Sequence, residues 1–219
     1  MNEKDLEKLV FGISHQVRNP CAIILANTNL LFKRCEKDPT AVRSLEAIVT
    51  GVKYIETRLD EFIEFSKPLT PKFEDFSVSR LCSECISIVK ERSELQKTRI
   101  VCNVSADLHP IRGDHQHLLL ALLNVLMNAI ESIKMGGTIT LTAAPGERGI
   151  KLITQDTGCG IHPRDLSEIF SPFYSTKEGG IGIGLSVAKK MLEASNAMID
   201  VASEYGKGTT VTIRFSLAN

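Results

Sequence analysis

The sequence has no excess of charge of either sign and no long apolar run. Its 26 basic and 26 acidic side chains cancel, so no basic face is implied and nucleic acid is not expected as a partner. No apolar stretch approaches the roughly 20 residues that cross a bilayer, so we expect no membrane segment. The first residues do not resemble a secretory leader, and we expect a cytoplasmic location.

The cysteines lack the spacing of a disulfide framework, which fits a reducing compartment. Cys82 and Cys85 form a CxxC pair, and such pairs can bind metals or carry out redox chemistry. This pair falls within the apolar stripe of a predicted helix, and no second ligand pair is evident. His115 and His117 should face apart on their helix. We therefore predict buried structural cysteines.

Residues 1–67 follow the period of α-helices. The first helix carries apolar residues at spacings of four, three and four: Leu6, Val10, Ile13 and Val17. The second carries a longer heptad seam: Leu45, Ile48, Val52, Ile55, Leu59 and Phe62. Pro39 is expected in the first turn of that second helix. The pattern predicts an antiparallel helical hairpin, and pairing with a second copy as a four-helix bundle would cover its exposed flank.

Residues 68–219 mix strands and helices, and we place the domain boundary at the proline-containing segment before them. Strands are predicted near 73–78, 99–104, 138–143, 149–154, 199–202 and 209–215. Helices are predicted over 81–89, 118–133 and 185–192, with Asp114 as an N-cap of the second. Because these elements do not alternate strictly, the pattern favours an α+β sandwich over a doubly wound sheet.

A glycine-rich stretch runs from 156 to 185. A predicted strand ends at Asp156, whose carboxylate can accept a hydrogen bond from an amino group. A glycine-rich turn then opens an apolar helix, which offers free N–H groups to an anion such as phosphate. The glycines of this stretch are Gly158, Gly160, Gly180, Gly182 and Gly184. Their spacing matches neither the dinucleotide fingerprint nor the P-loop.

Asp156-Thr-Gly158-Cys-Gly160 resembles the first glycine box of the GHKL ATP-binding fold, and Gly180, Gly182 and Gly184 resemble the second. Gly206-Lys-Gly-Thr-Thr resembles the third box, and Phe170 and Phe173 occupy the position of the F box. The resemblance implies that Asp156 binds the adenine amino group, that Thr209 lies near the adenine, and that residues 171–181 form a short lid. The resemblance also implies that the glycines named above bind the nucleotide, together with Thr176, Lys177 and Leu185.

The helix predicted over 118–133 carries Asn124 and Asn128 on one face. Two amides on an apolar helix need partners, so an interhelical hydrogen-bond pair is one interpretation. The segment also resembles the GHKL N box, which implies that Asn128 coordinates Mg²⁺ and that Asn124 faces the phosphates. Hydrolytic GHKL ATPases carry Glu at the position of Asn124, so the resemblance favours phosphoryl transfer to a side chain over ATP hydrolysis.

The resemblance also bears on charge near the phosphates. Many kinases of this kind carry a basic residue three positions after the metal Asn, where this chain has Glu131. Lys177 is therefore expected to contact the phosphates, with a solvated loop lysine as the alternative.

His15 lies between the apolar positions of the first helix and should point to solvent. An ordinary exposed histidine is the simplest interpretation. However, Ser14-His-Gln-Val-Arg-Asn-Pro20 resembles the phosphoacceptor box of HisKA-type sensor histidine kinases, with Pro20 expected to kink the helix. In that family an acidic residue normally follows the histidine. Here Gln16 can orient the imidazole but cannot act as a base.

The resemblance covers nearly the whole chain and implies a sensor histidine kinase core. Residues 1–67 would dimerise and carry His15, and residues 68–219 would bind Mg²⁺ and ATP. The phosphoryl group would pass from ATP to His15 and then to an aspartate of a response-regulator receiver. Two alternatives stay open: an ATP-binding pseudokinase silenced by Gln16, or a regulator phosphatase that uses Asn19.

Overall fold

The computed structural model describes residues 3–35, 38–66, 69–146, 149–177, 180 and 182–216. The chain divides into two compact units, Met1–Pro68 and Leu69–Asn219.

The first unit is a helical hairpin, as predicted. Helix α1 spans Glu3–Cys35 and helix α2 spans Pro39–Ser66, so Pro39 begins its helix as expected. Asp38 precedes it, and its Oδ1 accepts hydrogen bonds from the N–H groups of Thr40 at 2.9 Å and Ala41 at 3.2 Å. This acceptor satisfies N–H groups that have no partner inside the helix. Helix α1 continues through Pro20 without interruption.

The packing stripe of the hairpin differs from the predicted seam. Val10, Leu45 and Val52 are buried as expected, but Ile13, Ile48 and Ile55 are 42–44% exposed. The predicted stripe also included Leu6, whose side chain lies outside the described residues. A single hairpin covers only one flank of a heptad seam, so the other flank stays open.

Two hydroxyl side chains take part in the buried stripe of α1. Ser14 and Thr28 are buried, and each donates to the carbonyl oxygen four residues earlier at 2.7 Å. A polar group can be buried cheaply when it is hydrogen-bonded within its own helix. Apolar periodicity therefore missed these two positions.

The second unit is built on a five-stranded sheet. Its strands are β2 (Thr98–Val104), β4 (Gly137–Gly146), β5 (Gly149–Asp156), β6 (Ala197–Glu204) and β7 (Gly208–Ser216). They lie in the order β2-β4-β5-β7-β6, and only β2 and β4 pair in parallel. Two short strands, β1 (Glu74–Phe76) and β3 (Ile111–Gly113), form a separate antiparallel pair. The sequence pattern did not predict strand β3.

In the part of this unit that the structure describes, the sheet is accompanied by the helices α3 (Val78–Leu95), α4 (His115–Ser132) and α5 (Gly184–Ala194). Their buried apolar side chains meet the buried, alternating residues of the sheet, as in Ile139 and Leu141 of β4 and Ile213 of β7. Full burial of such a side chain contributes about 1.5–3 kcal/mol. The predicted α+β sandwich is confirmed.

The predicted N-cap of helix α4 is confirmed, although the helix begins at His115, before the predicted start at 118. Asp114 is its N-cap, and Asp114 Oδ1 accepts from the His117 N–H at 2.9 Å. Asp114 Oδ2 accepts from the Lys72 N–H at 2.6 Å, which joins the preceding loop to the helix start. Both backbone hydrogen bonds counter the desolvation of this carboxylate, and the pKa of Asp114 lies below its ordinary value.

The cysteine prediction is also confirmed. Cys82 and Cys85 are fully buried on α3, and burial raises the pKa of each thiol to about 12. All six cysteines are free, and the described residues contain no His, Cys, Asp and Glu group arranged to hold a metal. His115 instead lies 2.9 Å from Glu84 Oε2, and His117 lies near Asp114.

Candidate nucleotide and phosphoacceptor sites

Asp156 ends strand β5 and is a buried residue, at 6% exposure. Its Oδ1 accepts from the Gly158 N–H at 2.8 Å, the Ser132 hydroxyl at 3.1 Å and the Thr209 N–H at 3.3 Å. No donor in the described part of the chain reaches Oδ2. One oxygen is thus held in place, and the other is available to a donor from a ligand.

The electrostatics of Asp156 follow from this placement. Burial raises the pKa of Asp156 above its ordinary value, while the three hydrogen bonds and the charge of Lys177 reduce that rise. A buried carboxylate with a raised pKa and an unused oxygen is a common feature of ligand sites.

Two glycines permit the close packing around this carboxylate. A Cβ at Gly158 would lie 1.9 Å from the Ser132 hydroxyl, and a Cβ at Gly208 would lie 2.0 Å from the Asp156 carbonyl oxygen. Gly208 also has a φ of +124°, which L side chains rarely adopt. The first and third glycine boxes are therefore packed against each other.

Further hydrogen bonds join these two boxes. The Gly206 N–H donates to the Cys159 carbonyl oxygen at 2.7 Å, next to Gly160. Ser203 Oγ lies 2.9 Å from Thr209 Oγ1 and accepts from the Ile161 N–H at 2.8 Å. Thr209 is buried beside Asp156.

Helix α4 places Asn124 and Asn128 opposite the first turn of α5. A Cβ at Gly184, the first residue of α5, would lie 3.1 Å from Asn124 Oδ1 and 3.7 Å from Asn128 Nδ2. Asn124 also donates to the Leu120 carbonyl oxygen at 3.0 Å. The first turn of α5 has no side-chain cap, so its N–H groups remain available to an anion.

Lys177 completes this cluster from the segment before α5. Its Nζ donates to Asn128 Oδ1 at 2.8 Å and to Glu131 Oε2 at 2.6 Å. The two amides of α4 therefore do not form the interhelical pair that the sequence left open. Lys177 is not an isolated loop lysine either, and the Asn128 oxygen faces a positive charge.

The segment that precedes α5 is held at several points. The Tyr174 hydroxyl donates to Asp165 Oδ1 at 2.7 Å, and the Phe173 N–H donates to the Gly182 carbonyl oxygen at 3.0 Å. Phe170 is half-buried, with Lys189 Nζ 5.3 Å from its ring centre. Phe173 is 56% exposed, so burial of Phe173 does not hold this segment in place.

The other predicted residues of this stretch lie around that cluster. Thr176 is exposed, Leu185 is half-buried in the first turn of α5, and the Gly180 N–H donates to the Lys177 carbonyl oxygen at 3.1 Å. Ile181, the predicted end of the lid, lies outside the described residues.

His15 is exposed on α1, as predicted. The ring of Phe11, one turn earlier, meets the imidazole edge to face at a centroid distance of 4.6 Å. Gln16 and Asn19 are also exposed. Asn19 lies one turn beyond His15, so both side chains lie on one face of α1.

Two family models match the chain in the order that the sequence predicted. Residues 5–70 match the His Kinase A phospho-acceptor domain. Residues 113–219 match the histidine kinase-, DNA gyrase B- and HSP90-like ATPase family. This chain belongs to the sensor histidine kinases.

Curated histidine kinases align over most of the chain. Signal transduction histidine-protein kinase AtoS of Escherichia coli K12 is 29% identical over 95% of this chain and 34% of AtoS. Sporulation kinase E of Bacillus subtilis 168 is 31% identical over 94% of this chain and 28% of that kinase. The chain therefore spans about a third of the length of these relatives.

Solved histidine kinases share the fold. Full-length ShkA, determined in complex with AMPPNP, has a TM-score of 0.79 and is 22% identical over 96% of this chain and 46% of ShkA. ThkA, determined in complex with the response regulator protein TrrA, has a TM-score of 0.70 and is 22% identical over 96% of this chain and 61% of the solved chain. Within the described residues of this histidine kinase, no helix is long and apolar enough to cross a membrane.

Three contacts in the sites of this histidine kinase were not predicted from its sequence. Ser132 binds Asp156, Glu131 binds Lys177, and Phe11 contacts His15. The first two pairs are 24 and 46 residues apart, so only tertiary structure brings them together. The third was available from the sequence, because residues four apart share a helix face.

Proposed function

We propose that this chain is a histidine autokinase: it transfers the γ-phosphoryl group of ATP to His15 and then to an aspartate of a response-regulator receiver. The observation that carries the proposal is the buried Asp156 carboxylate, with Oδ1 fixed by three hydrogen bonds and Oδ2 without a donor in the described part of the chain. Such an oxygen can accept a hydrogen bond from the exocyclic amino group of adenine.

The phosphates would lie between α4 and α5. The uncapped first turn of α5, beginning at Gly184, supplies N–H groups and the positive end of the helix dipole. Asn124 lies next to that turn, and Lys177 supplies a positive charge at the same place. A triphosphate needs groups of this kind, which are N–H donors at a helix start and a nearby cation.

The residues also fit a divalent cation that accompanies ATP. Asn128 Oδ1 already accepts a hydrogen bond from an ammonium group, so this oxygen faces a position that favours positive charge. An amide oxygen suits a hard cation that shares phosphate oxygens and retains water. Bound Mg²⁺ would neutralise charge on the phosphates during transfer. Asn128 is the residue we propose as its ligand.

His15 would act as the nucleophile. A neutral imidazole nitrogen attacks the γ-phosphorus, a P–N bond forms, and the bond from the γ-phosphorus to the bridging oxygen breaks as ADP leaves. The second ring nitrogen carries a proton. The amide oxygen of Gln16 can accept a hydrogen bond from this N–H group and so orient the imidazole ring. Because a carboxamide does not take up a proton at neutral pH, that proton passes to solvent.

A second candidate rests on Gln16. If an acidic residue is needed at that position, the chain binds ATP but transfers little, and it acts as a pseudokinase. Asn19 lies on the same face of α1 as His15, so a phosphatase that orients water with Asn19 is the other form of this hypothesis.

We also propose that the chain forms a homodimer through the helical hairpin. Ile48 and Ile55 of α2 and Ile13 and Ile24 of α1 are apolar and exposed in a single copy. Such a surface favours burial against an equivalent hairpin. ThkA was solved with a response regulator protein bound, which supports a receiver as the partner of this chain.

The test is incubation with labelled Mg·ATP, followed by scoring of acid-labile, alkali-stable phosphate on this chain, on His15→Ala and on Gln16→Glu. We expect this chain to be labelled and His15→Ala to remain unlabelled. Labelling of Gln16→Glu alone would instead support the pseudokinase. Release of phosphate from ATP without any labelled protein would contradict both.

A further inference from the structure

Lys177 is not free to meet a nucleotide in this structure. Its ammonium group is bound by the Glu131 carboxylate at 2.6 Å and by Asn128 Oδ1 at 2.8 Å. Glu131 and Asn128 are one turn apart on α4, so their oxygen atoms converge on one point. The Lys177 side chain thereby fastens the segment that precedes α5 to α4.

A carboxylate and a phosphate oxygen are alternative partners for the same ammonium group. Both are anionic acceptors, and both form charge-assisted hydrogen bonds with lysine. The ammonium group is bonded to Asn128, which lies opposite the first turn of α5, where N–H groups are available to an anion.

We propose that Glu131 is a positioning residue, which holds Lys177 on α4 in the absence of nucleotide and competes with the nucleotide phosphates for its ammonium group. The inference rests on the proposed function, because it takes ATP as the ligand of this site. It adds a role for Glu131, where the family resemblance led us to expect a basic residue.

The exposure of the pair sets the size of the effect. The side chains of Lys177 and Glu131 are 41% and 37% exposed, so solvent weakens their attraction. Exposed ion pairs contribute little free energy, so a phosphate group can readily replace Glu131 as the partner of Lys177. Removing the Glu131 charge should therefore tighten ATP binding by about two- to fivefold, within the range of such pairs.

The experiment is a double-mutant cycle in nucleotide affinity. Calorimetry would compare a non-hydrolysable ATP analogue, with Mg²⁺, on this chain, Glu131→Gln, Lys177→Met and the double variant. We expect Glu131→Gln to tighten binding only where Lys177 is present. Adenosine, which has no phosphate, should bind all four proteins equally.

The control is Glu193→Gln. Glu193 also forms an ion pair with a lysine, Lys189, at 3.8 Å, but it lies in the last turn of α5. The substitution Glu193→Gln also removes one negative charge, but at the opposite end of α5 from Gly184. We expect it to leave the affinity for the analogue unchanged.

A second measurement needs no nucleotide. Amide hydrogen exchange at Lys177 and Gly180, whose N–H groups bond to Ser175 Oγ and the Lys177 carbonyl oxygen, reports on the order of this segment. Exchange should become faster in both Glu131→Gln and Lys177→Met. Unchanged exchange in both would overturn the positioning role.

The affinity outcomes separate this inference from the proposed function. Equal tightening by Glu131→Gln with and without Lys177 would mean simple charge repulsion, and weaker binding would mean that Glu131 assists the nucleotide. Either result overturns the inference and leaves ATP binding intact. Failure of this chain to bind the analogue would overturn the proposed function, and with it the competition.

Discussion

The two units of this kinase core bury their apolar side chains to very different degrees. In the sheet unit, the large side chains on the inner face of α4 are fully covered, among them Leu118, Leu122 and Leu126. In the hairpin, Ile24 on α1 and Ile48 on α2 remain 43% and 44% exposed. The sheet unit closes its core within one chain. The hairpin retains apolar surface for a further contact, as the proposed dimer requires.

The largest expected effect concerns the closed core. Leu126→Ala in α4 should lower the free energy of unfolding of the sheet unit by about 2–5 kcal/mol, because it leaves a cavity among fully buried neighbours. Leu120→Ala on the same helix is the control, since Leu120 is partly exposed. Denaturant unfolding of the two variants would measure the difference. Equal losses would show that the core of α4 is not packed as described.

The next effect concerns the open face of the hairpin. Ile48→Asp together with Ile55→Asp should weaken self-association at least about thirtyfold, because burial of two such side chains contributes several kcal/mol. Helicity should remain, since both side chains are exposed in one copy. Sedimentation at several concentrations would measure the association. Glu46→Gln, at an exposed position of α2, is the control.

An unchanged association constant in that double variant would contradict a dimer through this face. The contrast between the two units would then need another explanation.

These two predictions depend on features that the sequence reveals to different extents. The N-cap at Asp114 and the alternating strands are local patterns, and each was found where it was expected. The glycine boxes are also local patterns, and the structure packs the first against the third. The burial of Ser14 and Thr28 was not predicted. Both side chains are polar, and the sequence does not show that their hydroxyl groups are hydrogen-bonded to carbonyl oxygens of their own helix. Strand β3 was too short for a periodic signal, since it has three residues.

The candidate site also combines residues that the sequence predicted with contacts that it did not predict. Asp156, Asn124 and Asn128 were predicted by their motifs, and the structure places Asn124 and Asn128 beside the first turn of α5. Ser132 and Glu131 were not predicted as partners of Asp156 and Lys177, because each contact joins distant parts of the chain. Motifs identify which residues belong to a site, whereas tertiary contacts determine which atoms remain available to a ligand.

A third prediction separates stability from function at Asp156. Asp156→Asn should weaken ATP binding by about tenfold, because the new amide can present a donor where the adenine amino group needs an acceptor. The same change should not weaken folding at neutral pH. In the native state the pKa of Asp156 lies above that of the unfolded chain, so folding must keep this carboxylate ionised at a cost once the pH exceeds its native pKa.

The sign of the pH dependence follows from that difference. Between the unfolded and the native pKa, the native state binds more protons, so the contribution of Asp156 to stability falls as pH rises. Asp156→Asn lacks this contribution, and its unfolding free energy relative to the parent chain should increase with pH through that acidic window. Denaturant unfolding at several pH values would measure it, and a difference that decreases with pH would contradict the raised pKa.

The smallest expected effect is a difference in cysteine reactivity, which tests the core of the sheet unit without a mutation. Cys82 and Cys85 are buried with pKa values raised to about 12, so almost no thiolate forms near pH 8. Cys159 is exposed in the first glycine box. Iodoacetamide should therefore modify Cys159 in the native chain and leave the CxxC pair unmodified, as mass spectrometry would show. Because alkylation needs both access and a thiolate, early modification of Cys82 or Cys85 would mean that α3 opens readily and that the contrast between a closed and an open unit is overstated.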